Sequence, residues 1–198
     1  MIKRLFDLII ALPFLLLVSP ILIIIAVLIK LNSKGPVFYL QQRVGFMGND
    51  FFIYKFRTMR IGADKLGLLT VGGRDPRVTT VGYFLRKYKL DELPQLINVV
   101  NGSMSLVGPR PEVRKYVDMY SSEQKNVLLA KPGITDYASI EYADENNLLA
   151  ASSDPEKTYI DEIMPAKLKL NMKYIAEQGV FTDVKIIFLT VQRIIRGH

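Results

Sequence analysis

Leu8-Ile9-Ile10-Ala11-Leu12-Pro13-Phe14-Leu15-Leu16-Leu17-Val18-Ser19-Pro20-Ile21-Leu22-Ile23-Ile24-Ile25-Ala26-Val27-Leu28-Ile29 is almost wholly apolar. At ~1.5 Å per residue, a helix of that length could just cross a hydrocarbon layer of about 30 Å. Ser19-Pro20 interrupts the run near its middle. A proline inside a helix removes one hydrogen bond and crowds the carbonyl one turn back, so the sequence predicts a kink or a break there, with Pro13 bending the first half as well. Lys3 and Arg4 precede the run, and Lys30, Lys34 and Arg43 follow it. Basic flanks on both sides leave the positive-inside rule without an orientation. Two topologies therefore stand open: a kinked span, or a re-entrant hairpin that enters and leaves on the cytoplasmic side with its bend at Ser19 and Pro20. A cleaved signal fits poorly, because the run is too long and no small-residue cleavage site follows. Asp7 falls just inside the apolar boundary, where pairing with Lys3 or Arg4 would blunt its cost.

Gly35-Pro36 ends the pattern and divides the chain into an anchor, residues 1–34, and a second part, residues 35–198. The second part reads as α+β and mainly helical. Val37 to Leu40 and Phe51 to Phe56 are rich in aromatic and β-branched residues, with Gly45, Gly48 and Asn49-Asp50 between them. That is the pattern of a β-hairpin with a loop longer than two residues. Alternation sets Phe52, Tyr54 and Phe56 against Ile53, Lys55 and Arg57. Lys55 and Arg57 thus project together, either as a solvated cationic face or as phosphate contacts. Residues 60–80 carry Gly62, Gly67, Gly72-Gly73 and Asp75-Pro76, and read as a loop with weak helical content whose glycines serve turns and mobility rather than a phosphate-binding fingerprint. Residues 81–88 suit a short helix that carries Arg86 and Lys87 toward an acidic pair.

That pair lies in Lys89-Leu90-Asp91-Glu92-Leu93-Pro94-Gln95-Leu96. Leu90, Leu93, Ile97 and Val100 recur on one face of a helix that Asn101-Gly102 would end, and Pro94 is tolerated only near its first turn. Asp91 and Glu92 then sit at the positive end of the helix dipole, among cations that hold them ionised. Either they merely favour a helix start, or they form a site. Further on, Gly108-Pro109-Arg110-Pro111 presents a guanidinium from a segment that its prolines stiffen and keep extended, a form suited to bidentate phosphate binding or to a rigid surface turn. Val113, Tyr116, Val117 and Tyr120 form an amphipathic stripe, and Ser121 with Gln124 resembles a capping box opening a helix to Ala130. Lys131-Pro132-Gly133 stops it, and residues 133–153 read as irregular. Asp154-Pro155 reads as cap and first helical residue. Tyr159 and Asp161 follow, and after Pro165 the helix continues through Leu168, Met172 and Ile175 to Gly179, with Met172 as core filling. Thr182 to Arg196 is an apolar, basic amphipathic helix, suited to a membrane interface or to a domain core.

What the chain lacks restricts its chemistry. There is no Cys, and the single His is His198. Thiol nucleophiles, imidazole catalysis and Cys/His zinc sites are excluded, which leaves carboxylates, cations, hydroxyls and a hard metal ion. The missing disulfides agree with a cytoplasm-facing part. A net charge of +7 with a pI near 9.5 points to a polyanion, and the positive mean hydropathy of +0.19 favours an anionic membrane face over a nucleic acid. Carboxylates beside cations suit phosphate chemistry assisted by a hard metal, with Asp a possible phosphoryl acceptor. The membrane-seeking elements imply that one substrate lives in the bilayer.

Six motifs, in order, carry a resemblance over nearly the whole chain: the Ser19-Pro20 break, Tyr54-Lys55-Phe56-Arg57-Thr58-Met59, Leu90-Asp91-Glu92-Leu93-Pro94-Gln95, Gly108-Pro109-Arg110-Pro111, Lys131-Pro132-Gly133-Ile134-Thr135 and Asp183-Val184-Lys185-Ile186. The chain resembles the bacterial monotopic phosphoglycosyl transferases, in the form that has only the catalytic unit. The resemblance implies a re-entrant helix–break–helix in the bacterial inner membrane, with amphipathic interface helices around a small catalytic domain on the cytoplasmic face. It also implies a ping-pong reaction. Asp91 attacks a UDP-sugar, UMP leaves, and polyprenol (undecaprenyl) phosphate takes the sugar phosphate, the first membrane step of surface-glycan assembly. Glu92 binds Mg²⁺ in that scheme, Lys55, Arg86 and Arg110 contact phosphates, and Asp161 is a further candidate.

Two departures from the family pattern stand out. Most relatives have Arg where this chain has Lys131, and Gly-Leu-Ala-Gln where it has Asp136-Tyr137-Ala138-Ser139. A lysine keeps the charge and loses the planar fork, so recognition of nucleotide or sugar near this loop differs. The donor sugar, the carrier length and the oligomeric state, a homodimer included, stay open. Two other readings predict different outcomes: a membrane-bound glycosyltransferase would release UDP, and a non-catalytic basic recruitment module would be indifferent to Asp91→Asn.

Overall fold

The computed structural model describes residues 2–63, 69 and 75–196; Gly67, Gly72-Gly73 and His198, singled out above, lie outside them. The apolar run becomes a single helix, α1 (Ile2–Asn32), which continues through both Pro13 and Pro20. The expected break at Ser19 and Pro20 is therefore not an interruption of the helix. Pro20 has no N–H for the carbonyl of Leu16, and the Ser19 hydroxyl donates to that oxygen instead, at 2.8 Å.

One stripe of α1 is buried along its whole length: Asp7, Ala11, Val18, Ile25 and Ile29. Ala11 and Val18 share a core with Ile53, Leu96, Val99 and Leu106, and Ile25 and Ile29 pack with Phe56 and Leu85. Apolar side chains around the rest of the helix, such as Leu16, Leu17, Ile23 and Leu31, face outward. The polar residues at its start do not pair with one another, contrary to the sequence expectation. Lys3 reaches Asp183 at 2.5 Å, and Arg4 donates to the carbonyls of Val99 and Val100. Asp7, fully buried, accepts from the Ser105 hydroxyl at 2.8 Å and from the Leu106 N–H at 3.1 Å. Asp7→Ala strands those two donors in the interior and should cost about 3 kcal/mol, whereas Ser105→Ala should cost about 1. Thermal unfolding in detergent measures both.

The rest is mainly helical with a small antiparallel hairpin. The expected hairpin is present, with a first strand longer than the Val37–Leu40 run: β1 (Phe38–Val44) and β2 (Asp50–Phe56) pair in the register Phe38 with Phe56 and Val44 with Asp50. Asn98 reaches across to them from the next helix: its amide oxygen accepts from Tyr54 N at 2.9 Å, and its nitrogen donates to the carbonyl of Phe52 at 2.8 Å. Helix α2 (Thr80–Lys87) is capped by Thr79. A short 3₁₀ turn over Leu90–Glu92 leads to α3 (Gln95–Asn101). The expected face of Leu90, Leu93, Ile97 and Val100 is only half-buried, and α3 buries Gln95, Leu96, Asn98 and Val99 instead. The turn before α3 breaks the phase of the apolar spacing.

Two three-residue strands, β3 (Ser105–Val107) and β4 (Gly133–Thr135), form a parallel pair that sequence reading missed. Between them lie α4 (Arg114–Val117) and a 3₁₀ segment, Gln124–Leu129. The Ser121–Gln124 capping box is present, but the turn it opens is tighter than the α-helix expected. Residues 133–153 are not irregular; after β4 they form α5 (Tyr137–Glu141) and α6 (Glu145–Ala150). Asp154 caps α7 (Pro155–Thr158), its carboxylate accepting from Lys157 N at 3.0 Å. A π-helical turn, Tyr159–Ile163, follows, and α8 (Met164–Glu177) completes that helix. Pro165 accounts for the wide turn, since it has no N–H for the carbonyl of Asp161. Met172 packs against a core cluster, as expected. The last helix, α9 (Val180–Arg196), buries Asp183 and Ile186. It leaves Phe181, Val184, Phe188, Val191 and Ile195 exposed.

Candidate active site

The acidic pair is positioned from both sides. Upstream, α2 rests on the end of the hairpin so closely that a Cβ on Gly82 would lie 2.0 Å from the Thr58 carbonyl oxygen. Lys89 then takes a left-handed conformation (φ 55°), unusual for a residue with a side chain, and turns the chain into the 3₁₀ turn that carries Asp91 and Glu92. Downstream, the β3–β4 pair sets the Arg110 loop. Gly108 N donates to Thr135 O and Gly133 N to Pro109 O, both at 3.0 Å, and Arg110 N donates to the buried Asp136 carboxylate at 3.1 Å. A Cβ on Gly133 would fall 2.1 Å from Gly108 N. Proline stiffness alone does not place Arg110; a crowded backbone pair and a buried carboxylate do.

These elements bring Glu92 between two cations. Lys55 Nζ lies 3.0 Å from Glu92 Oε1. The Arg110 guanidinium grips the same carboxylate with both terminal nitrogens, one at 3.1 Å on Oε2 and the other on Oε1. Asp91 is 7% exposed, and its Oδ1 is buried with no hydrogen-bond partner among the described residues. Lys55, Arg86, Asp91 and Arg110 line one cleft of about 500 Å³, which extends to Tyr116, Tyr159 and Asn171.

Burial and these charges drive the two carboxyls apart. For Glu92 burial disfavours the charge, but Arg110 and Lys55 outweigh it and hold the carboxyl well below the usual range. Asp91 shifts the other way: burial pushes its pKa up, the Glu92 charge adds to the rise, and Lys55, Arg86 and Lys89 only oppose it. The expectation that nearby cations favour the charged form of both acids therefore holds on balance for Glu92, while at Asp91 burial outweighs them. The cations are engaged by Glu92, and Asp91 keeps the desolvation. Lys55 is itself lowered, by burial first, with Glu92 opposing.

Other expected contacts part from the cluster. Arg57 is buried beneath the end of α1, donating to Pro36 O at 2.6 Å and to Ser33 Oγ and O at 2.8 and 2.9 Å. It anchors the hairpin to α1 and is not disposed as a phosphate contact, although it borders the cleft. Asp161 is exposed on the π turn, whereas its neighbour Tyr159 is buried and lines the cleft. Lys131 is half-buried and not among the residues lining the cleft. Sequence reading missed a second cluster in the cleft wall. Glu112 accepts from Arg43 at 2.9 Å and from the Tyr159 hydroxyl. Its only sequence signal was an acid directly after the Arg110-Pro111 pair.

The family model described as bacterial sugar transferase matches residues 1–197. The chain is 40% identical over 194 residues to the UDP-glucose:undecaprenyl-phosphate glucose-1-phosphate transferase of Escherichia coli (strain K12), covering 96% of this chain and 39% of that protein. It is 39% identical over 199 residues to the UDP-N-acetylgalactosamine-undecaprenyl-phosphate N-acetylgalactosaminephosphotransferase of Aeromonas hydrophila, covering 99% and 44%. An uncharacterized sugar transferase of Bacillus subtilis (strain 168), EpsL, is 37% identical over 193 residues, with 98% of this chain and 87% of that protein covered. The chain belongs to the bacterial sugar transferase family. It spans about two-fifths of the length of the Escherichia coli and Aeromonas relatives.

Proposed function

We propose that the chain transfers a sugar 1-phosphate from a UDP-sugar to polyprenol phosphate, giving a polyprenyl-diphosphate sugar and UMP. The observation that carries this reading is the buried, unpartnered Oδ1 of Asp91 beside a Glu92–Arg110–Lys55 ion cluster. An oxygen stripped of water and left without a donor is a reactive acceptor site for phosphorus. The Asp91 carboxylate attacks the β-phosphorus, the bond from that phosphorus to the α–β bridging oxygen breaks, and UMP leaves with that oxygen. A polyprenol phosphate oxygen then attacks the same phosphorus, and the carboxylate departs unchanged. Arg86, Arg110 and Lys55 offset the negative charge that gathers on the phosphoryl oxygens.

Mg²⁺ fits this donor set in a limited way. Among the described residues no group of three or more acidic or imidazole ligands converges, but Mg²⁺ commonly takes one or two carboxylates together with water and substrate phosphates. Asp91 Oδ1 is unpartnered, and Glu92 Oε2 carries a single contact, from Arg110. Glu92 would hold the ion, which when bound supplies charge neutralisation of the diphosphate, and Asp91 stays available to the phosphorus.

The topology belongs to the same reading. Both ends of α1 and its middle are bound to one domain, which supports a re-entrant, monotopic seat in the inner membrane with the catalytic domain on the cytoplasmic face. The apolar outer faces of α1 and α9, with the exposed Lys185 and Arg196, support docking on anionic lipid. Protein in nanodiscs, incubated with UDP-sugars and Mg²⁺, should gain the mass of one sugar phosphate on Asp91 and release UMP. Release of UDP with no adduct would replace this reading by simple glycosyl transfer.

A further inference from the structure

The chain just beyond Arg110 is fastened to the hairpin by contacts that the phosphate chemistry leaves unused. Val44 N donates to the Glu112 carbonyl at 2.9 Å, and Arg43 donates to the Pro111 carbonyl at 3.3 Å and to the Glu112 carboxylate at 2.9 Å. That carboxylate also accepts from Val113 N at 2.7 Å and from the Tyr159 hydroxyl. Strand β1, the Arg110 loop and the π turn thus meet on one side chain. The Arg43 and Glu112 side chains are largely buried, so the pair is poorly screened and holds its geometry. A lone carboxylate bordering a cleft that takes a diphosphate would repel it. Arg43 neutralises this one, and Glu112 is therefore disposed to hold protein groups rather than substrate.

Resting on the function proposed above, we infer that Glu112 is a positioning residue: it locks Arg110 to the hairpin that carries Lys55, and so fixes the separation of the two cations that grip Glu92 and meet the donor's diphosphate. Lys55 lies on β2 opposite Tyr39 of β1, and β1 is the strand to which Glu112 is tied. On its other side Arg110 is held by its own N–H, which donates to Asp136 at 3.1 Å. The guanidinium therefore springs from a backbone pinned at both ends. Without the Glu112 carboxylate, Arg43 and Tyr159 lose their hold on that segment and Arg110 can drift from Lys55. A misplacement of about 1 Å at such a group costs on the order of 10²-fold in rate.

The test uses full-length protein in nanodiscs and whichever of UDP-glucose, UDP-galactose and their N-acetylated counterparts the parent protein turns over fastest, following UMP release in a single turnover. Glu112→Gln, which keeps the shape and removes the charge, should lower the rate constant by about tenfold to a hundredfold and raise the half-saturating donor concentration by about threefold or more. Tyr159→Phe, which removes only the hydroxyl, should move both in the same direction by a smaller factor. In an Arg110→Ala background each substitution should change the rate constant by less than about twofold, because the group it positions is gone. A merely structural role gives a different pattern. Fewer active molecules lower the amplitude of release and leave the rate constant and half-saturation alone, and that loss recurs in full in the Arg110→Ala background. Either of those results would overturn the assignment. Should Glu112→Gln not fold, the same comparison is read from Tyr159→Phe. If the parent protein releases UMP from none of the donors, the failure lies with the proposed function and not with Glu112.

Discussion

Asp91→Asn should abolish the covalent adduct and slow sugar-phosphate transfer by on the order of 10⁴-fold or more, while raising the melting temperature at neutral pH. The first effect follows from removing the nucleophile: an amide cannot form the acyl phosphate, and loss of a nucleophile is among the most damaging single changes to an enzyme. The second follows from the raised pKa of Asp91. A carboxyl with a raised folded-state pKa binds its proton more tightly in the folded protein than in the unfolded chain. Stability from that proton is complete below the unfolded value, about 3.9, and is lost as pH climbs through the folded one. At pH 7 the ionised Asp91 therefore opposes folding, and the neutral amide does not. The gain in melting temperature should shrink to nothing near pH 4 or below. A variant that keeps turnover, or that melts lower at pH 7 than the parent, would remove Asp91 from its assigned place.

Glu92→Gln has the opposite thermodynamic sign. Its carboxyl is held well below the usual range, so its contribution is present above the unfolded value of about 4.3 and is lost as pH falls through the folded one. Replacing it leaves Lys55 and Arg110 facing each other without the charge that separates them. Breaking a buried pair costs about 3–5 kcal/mol, and the lower figure applies because Arg110 is a third exposed. Transfer should fall along with stability, since Arg110 loses its orienting carboxylate. Adding Lys55→Met should restore part of the stability without restoring turnover. Unfolding curves of the single and double variants in the same detergent decide this, and a single-variant loss under about 1 kcal/mol would show that the two cations are not held by Glu92.

Much of the site was legible because its residues sit in short, stiff motifs. Asp91-Glu92 beside Pro94, and Arg110 between two prolines, each carry their chemistry within a few positions. Lys55 could be placed on a strand by alternation alone. Arg57 shows where alternation runs out: it shares Lys55's parity, but it lies just past the end of β2, where the partner is the carboxyl end of α1 and not the cleft. Asp161 was misplaced for a related reason. The π turn ahead of Pro165 rotates the helix, bringing Tyr159 to the cleft and leaving the acid outside. The contacts of Asp7 with Leu106 and of Asp136 with Arg110 join residues far apart in sequence, with no local spacing to announce them.

By itself the sequence determined the apolar anchor, the hairpin, the mainly helical class and the acid and cations available for phosphate chemistry, since these depend on composition and short-range period. Only the tertiary structure decided which carboxyl's pKa falls and which one's rises. Asp91 and Glu92 are adjacent and chemically alike, yet Glu92 is paired with Arg110 and Lys55, while Asp91 has an unpartnered buried oxygen and burial as its largest influence. That difference comes from long-range packing of β2, the 3₁₀ turn and the β3–β4 loop, because charge and desolvation act through space and not along the chain.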